Sequence, residues 1–385
     1  MTLPPFAFAT ATEVLFGRGQ ALAAPDRIAA MGRQVLLVHG SRAERSDWLT
    51  KALQERGCGV TGFAVSHEPD AELIEAGVAL ARQSAADVVV ALGGGSVIDG
   101  GKAIAALVPA TRPMLDHLEV VGQGLPLDHP PLPFVAMPTT AGTGAEVTRN
   151  AVIAIPEHRR KVSLRDARML PALAVVDPSL TDDCPRAITL ASGLDAITQV
   201  IEPYVCTRAN PLTDALCQDA IPRGLAALHR LMQAEDADAR DEMAWVSLCG
   251  GLALANSGLG AVHGLAGPLG GLTGAAHGAI CGILLPQVMI ANRTLVTDPR
   301  LARRLDQVGR WIGEIFEDTD SSVELAAGKL ISWSHDAGLP ALSGLGIDRQ
   351  AMAAAAGAAA SSSSMKANPV HLSEQDLFEI MEKAV

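Results

Sequence analysis

The chain has 385 residues, 49% of them apolar and 19% charged, which is enough for a large buried core and about two domains. Its 30 basic against 42 acidic residues leave a formal charge of −12. That argues against a sequence-independent hold on nucleic acid and against a polybasic membrane anchor. No apolar run approaches the ~18 residues of a bilayer span, and Met1-Thr2-Leu3-Pro4-Pro5 lacks the basic start of a secretory leader. The six cysteines, with no C-x-x-C pair, read as reduced, buried apolar residues. The expectation is a cytoplasmic enzyme acting on a small molecule, with neither nucleic acid nor membrane as partner.

In chain order, residues 34–38 read as a buried strand ended by His39-Gly40-Ser41, and residues 59–65 as a second. Residues 71–86 have helical apolar spacing behind Asp70 as N-cap. Residues 87–92 read as a strand, 93–96 as a glycine turn, and the run to Leu107 as a helix. Residues 132–137, 152–155 and 172–176 supply further strands, so the first half reads as parallel α/β. After Asp177-Pro178 the texture changes to long apolar segments, predicted as helices at 188–205, 212–232, 240–256, 276–292 and 302–337. The Ala-rich stretch 351–364 predicts a closely packed helix, and Ser373-Glu374-Gln375-Asp376 a capping box before the last one.

Three constellations carry chemistry. Gly93-Gly94-Gly95-Ser96 joins a strand to a helix; glycines let the backbone approach a pyrophosphate, and the helix start offers free N–H groups and a positive dipole end. The same glycines serve equally as a plain structural turn. Pro138-Thr139-Thr140-Ala141-Gly142-Thr143-Gly144 follows another strand, where open α/β sheets bind ligands; its hydroxyls meet phosphate or ribose, or cap their own loop. Asp195 and Gln199 are four apart on one helix face, and His263 and His277 lie on later apolar segments. Each histidine alone could be a satisfied core residue. One carboxylate with two imidazoles suits Zn²⁺ or Fe²⁺.

Taken in order, these segments resemble the iron-containing (group III) alcohol dehydrogenase family, in the dehydroquinate synthase-like fold group. The likeness runs through Gly-Gly-Gly-Ser-x-x-Asp-x-x-Lys at 93–102, the threonine segment at 138–144, Asp177-Pro178-x-Leu180-Thr181 and Ser192-Gly193-x-Asp195-Ala196. It continues in the histidine segments ending at Leu284-Leu285-Pro286 and in Ala367-Asn368-Pro369. The resemblance implies an α/β N-terminal Rossmann-like dinucleotide-binding domain, 1–180, and an all-α C-terminal helical domain, 181–385. It implies a metal- and NAD(P)-dependent oxidoreductase, as a homodimer, that interconverts a small alcohol and its aldehyde or ketone. The cofactor residues it implies are Gly40, Ser41, Gly94, Gly95, Ser96, Asp99, Thr139, Thr140, Thr143, Lys161 and Leu180; the metal ligands are Asp195, Gln199, His263 and His277. With only six lysines in the chain, finding Lys102 and Lys161 at both family lysine positions adds support, although either could be a solvated surface residue.

Three positions depart from the family pattern. Gln199 stands where many relatives place a histidine, and Gly267 where another histidine is usual, so no side chain is named as the catalytic acid or base. His39-Gly40-Ser41-Arg42 lacks the aspartate that binds ribose hydroxyls and repels a 2′-phosphate; with Arg42 and Arg45 nearby, NADP(H) is favoured over NAD(H). The ion is Fe²⁺ or Zn²⁺. Rival readings are a maleylacetate reductase-type enzyme, a dehydroquinate synthase-like lyase and a non-catalytic nucleotide-binding protein.

Overall fold

The computed structural model describes residues 5–158, 160–318, 321–360 and 362–385. Residues 1–4, which carry most of the reading of the amino terminus, lie outside the described residues. So do positions 319–320 of the predicted 302–337 helix and position 361 of the predicted 351–364 helix. The chain forms two compact units. One comprises residues 10–140 and 144–182; the other comprises residues 5–9, 141–143 and 183–385.

The strands are β1 (Val14–Phe16), β2 (Gln34–His39), β3 (Gly59–Ala64), β4 (Val88–Gly93), β5 (Phe134–Pro138), β6 (Asn150–Ile155), β7 (Arg160–Arg165) and β8 (Leu173–Val176). Six of them form a parallel sheet in the order β1-β8-β5-β4-β2-β3. Strand alternation decides which side chain faces which layer. Val35, Leu37, Val88 and Val90 pack with Ile28, Leu49 and Leu53 of α1 (Ala24–Met31) and α2 (Asp47–Glu55). Leu36, Val38, Val89 and Ala91 pack with Ile74, Ile98 and Ile104 of α3 (Ala71–Gln83) and α4 (Gly95–Leu107). Gly101 makes the second layer possible, because a Cβ there would stand 2.8 Å from Ala91 Cβ. A short α5 (Met114–His117) follows.

The expected strand at 152–155 exists, but it does not join the parallel sheet. It is part of β6, paired antiparallel with β7. Ala151, Ile153 and Ile155 face inward while Val152 is 36% exposed, the alternation of a half-buried hairpin. The sequence reading missed β7, whose Arg160, Lys161 and Arg165 mask the inward Val162 and Leu164, and it missed the three-residue edge strand β1.

Lys102 is buried, not a surface lysine, and is 1% exposed. Its ammonium donates to the Ala145 carbonyl at 2.6 Å, Thr148 Oγ1 at 3.0 Å and the Asn150 carbonyl at 2.9 Å, which satisfies all three protons. Burial lowers its pKa to about 8. Burial also pushes the Glu146 carboxyl up to about 7, and Asp99 up to about 6 with Lys102 opposing.

The helical unit holds α6 (Arg186–Val205), α7 (Pro211–Leu231), α8 (Ala237–Asn256), α9 (Ala261–Thr273), α10 (His277–Leu295), α11 (Pro299–Ile315), α12 (Val323–Asp336), α13 (Arg349–Ala360) and α14 (Glu374–Glu382). Helix α6 packs against α7, α8 and α10 and is buried along almost its whole length. The expected capping box closes: Asp376 N–H donates to Ser373 Oγ, and Ser373 N–H to Asp376 Oδ2. The predicted 302–337 helix is two helices. Glu317 adopts a left-handed φ of 57° after α11, and Ser322 Oγ accepts the Leu325 N–H to start α12. Among the described residues, one helix is long and apolar enough to cross a membrane by length and composition alone. Helix α10 has the length and a mean hydropathy of 1.2, although 61% of that stretch is buried inside the protein.

Glu146 and Asp99 bind their protons more tightly in the folded chain than at the ordinary 4.5 and 3.8. Their contribution is therefore full below those ordinary values and is lost as pH rises through 6–7. Lys102 acts in the opposite sense, but only above pH 8. The free energy of unfolding should fall from pH 5 to pH 8, and Glu146→Gln should reduce that fall by up to about 3 kcal/mol, measured by calorimetry at each pH.

Candidate active site

In the α/β unit the expected cofactor residues gather at the carboxyl ends of the parallel strands. Gly40 and Ser41 leave β2, Gly94 caps α4 after β4, Thr139 and Thr140 leave β5, and Leu180 lies in the turn Pro178–Thr181 after β8. The chain runs from β2 to β3 on one side and places β4 on the other, so strand order reverses between β2 and β4, where open sheets hold ligands. No side chain caps α4; Gly95 and Ser96 thus start the helix at that edge. Thr139 N–H donates to Gly93 O at 2.9 Å, and a Cβ on Gly94 would stand 3.3 Å from Thr140 Oγ1. Lys161 pairs with Glu68, in the loop that leaves β3. Asp99 accepts the Val152 N–H at 3.1 Å, which ties α4 to the hairpin. Thr143 packs in the helical unit, where its carbonyl accepts the Gln199 amide N–H.

In the helical unit, three elements bring Asp195 (α6), His263 (α9) and His277 (α10) together. Asp195 Oδ1 lies 3.5 Å from His263 Nε2 and 3.9 Å from His277 Nε2. Cys281 joins them, and one ligand atom from each of the four residues lies within 4.8 Å of the others. Gly278 permits this, since a Cβ there would stand 2.5 Å from the Ala191 carbonyl. Asp195 is 3% exposed, yet among the described residues neither its Oδ1 nor His263 Nε2 has a hydrogen-bond partner. A buried carboxylate oxygen and imidazole nitrogen left facing each other fit a divalent cation.

The electrostatics favour positive charge at this point, whether a proton or a cation. Burial alone would lower the His263 pKa, but the carboxylates of Glu202 and then Asp195 lift it to about 10. Burial would likewise raise Asp195; His277 and His263 instead hold its carboxyl below the usual range.

The sequence reading missed Glu202 and gave Asn368 no role. Glu202 Oε2 meets His263 Nδ1 at 2.6 Å, and its Oε1 accepts the Val262 N–H at 2.7 Å. Glu202 thus holds a proton on Nδ1, and a cation beside Asp195 would take the place of the Nε2 proton that the two carboxylates otherwise retain. Asn368 Oδ1 accepts the Ala261 N–H at 3.1 Å, and its Nδ2 donates to Asn292 Oδ1 at 2.8 Å, which fixes the start of α9. The available signal for Glu202 was its place seven residues after Asp195, on one face of an otherwise apolar helix. Gly267, inside α9, has open space where its Cβ would stand. Glu202→Gln should weaken divalent-metal affinity about 10–100-fold, read by competition against a chromogenic chelator.

Residues 11–178 match the family described as iron-containing alcohol dehydrogenase, and residues 189–385 match the C-terminal domain of the same family. Alcohol dehydrogenase 4 of Saccharomyces cerevisiae (strain YJM789) is 33% identical over 339 residues, 87% of this chain and 85% of that protein. Lactaldehyde reductase of Escherichia coli (strain K12) is 32% identical over 377 residues, 96% of this chain and 97% of that protein. The crystal structure of a 1,3-propanediol oxidoreductase superposes with a TM-score of 0.88 at 30% identity, covering 99% of this chain and 100% of that one. With both halves matched in order, the chain belongs to the iron-containing alcohol dehydrogenase family and is an oxidoreductase of alcohols and their carbonyl partners.

Proposed function

We propose that the chain is an NADP(H)-preferring reductase of a small aldehyde or ketone, with Asp195, His263 and His277 holding the metal. The observation that carries this reading is the buried pair of unpartnered atoms, Asp195 Oδ1 and His263 Nε2, beside His277. When bound, the ion supplies a Lewis acid that draws electron density from the substrate oxygen. Reduced nicotinamide, held at the carboxyl ends of the parallel strands, would supply the hydride for the carbonyl carbon, and solvent the proton for its oxygen. Glu202 keeps the His263 proton on Nδ1. Gln199 enters only through its amide oxygen, because its nitrogen is engaged by Thr143.

For the dinucleotide, Gly94, Gly95, Ser96 and the start of α4 receive the pyrophosphate, with Asp99 bracing that helix. Thr139, Thr140 and Thr143 serve the adenosine and phosphate side, with Lys161 and Leu180 beside the riboses. Gly40 brings no carboxylate of its own to the end of β2 and has open space where its Cβ would stand, and Ser41 with exposed Arg42 and Arg45 can pair with a 2′-phosphate. Cys58, Cys206, Cys217, Cys249 and Cys281 are free thiols, which supports a reducing cytoplasm. A homodimer completes the reading, and sedimentation velocity checks it.

Asp195→Ala should remove bound metal and nearly all turnover while dinucleotide affinity, read by fluorescence titration, stays within about twofold. Retained turnover in that variant under chelator sinks the metal role. Comparing kcat/KM for NADPH and NADH over a panel of aldehydes and ketones tests cofactor choice; a strong NADH preference overturns it.

A further inference from the structure

We infer that Cys281 is itself a ligand, so that the centre is an Asp195–His263–His277–Cys281 set whose thiolate selects Zn²⁺ over Fe²⁺. The inference deepens the metal-dependent reading above and rests on it.

Cys281 stands four residues after His277 on α10, one turn along the same face. Its Sγ is 3.6 Å from His277 Nε2. Tetrahedral zinc, with bonds of about 2.0–2.1 Å to oxygen or nitrogen and about 2.3 Å to sulfur, sets its donor atoms roughly 3.3–3.6 Å apart. The spacings of 3.5, 3.9 and 3.6 Å lie on or just above that scale. The independent observation is the unpartnered Asp195 Oδ1 and His263 Nε2 on side chains only 4% and 7% exposed. Gln199, the other candidate for a fourth donor, offers only a neutral amide oxygen, its nitrogen being engaged by the Thr143 carbonyl, and that oxygen is a weaker donor than a thiolate.

Coordination is a proton exchange, not a redox step. The S–H bond breaks, a sulfur–metal bond forms and the proton leaves to solvent. A soft thiolate among nitrogen and oxygen donors shifts selectivity toward zinc. A cysteine that only fills space makes no such bond.

The test is to strip the full-length protein with chelator under anaerobic conditions and titrate it with Co²⁺. A thiolate-to-cobalt charge-transfer band in the near ultraviolet is expected for the wild type and for Cys217→Ser. In Cys281→Ser that band should vanish while the visible d–d bands of bound cobalt remain. Cobalt bound without the band in the wild type, or a band that survives in Cys281→Ser, overturns the cysteine ligand and leaves the metal reading standing. No cobalt binding at all overturns both. If Cys281→Ser does not fold, X-ray absorption of the zinc-loaded wild type decides: a sulfur neighbour at about 2.3 Å supports the assignment, and a shell of nitrogen and oxygen alone refutes it.

Discussion

Asp195 carries a carboxylate into the middle of a helical core, on a helix packed against three others. Burying such a group is costly unless charge and hydrogen bonds compensate it. The surroundings compensate it only in part, because Asp195 Oδ1 faces His263 Nε2 across 3.5 Å without a hydrogen bond. Much of the unit serves this point. Gly278 brings α10 close to α6, Glu202 orients His263 from the same helix as Asp195, and Asn368 with Asn292 secures the first turn of α9. An apolar core of the same shape needs none of these. Their joint presence supports the cation site proposed above.

The α/β unit handles its buried charge differently. Lys102 has every proton satisfied by protein oxygens, so its role is to hold the segment 145–150 onto α4. Asp99 binds that same helix to the hairpin through the Val152 N–H. Two residues of the glycine motif thus fix the position of the helix whose uncapped start faces the sheet edge. One unit leaves donor atoms open for an ion, and the other closes its polar contacts to make a rigid platform.

Much of this was legible in the residues. The fully buried β4 announced itself through an unbroken apolar run that opens with three valines, and Asp70, Ser373 and Asp376 cap where their chemistry predicts. The family resemblance pointed to Asp195, His263 and His277, whose side chains lie close together. What stayed hidden depends on tertiary context. Helix α9 carries Gly264, Gly267, Pro268, Gly270 and Gly271, whose low helix propensity is overridden by packing. Strand β7 looks like a charged surface segment until its partner β6 shows which alternate side chains turn inward. Cys281 reads as a small apolar residue because nothing in its spacing from Asp195 or His263 reveals that three separate helices converge.

The placement of β1 bears on how the chain acquires its structure. Val14–Phe16 pairs in parallel with Ala174–Val176, so the earliest strand of this sheet to be synthesised waits for the last. Residues 141–143 meanwhile belong to a unit made mostly of residues beyond 183. Such distant pairings raise contact order and slow folding. They also leave a nascent chain with an open sheet edge and exposed apolar surface through much of synthesis, the period when assistance from chaperones matters most.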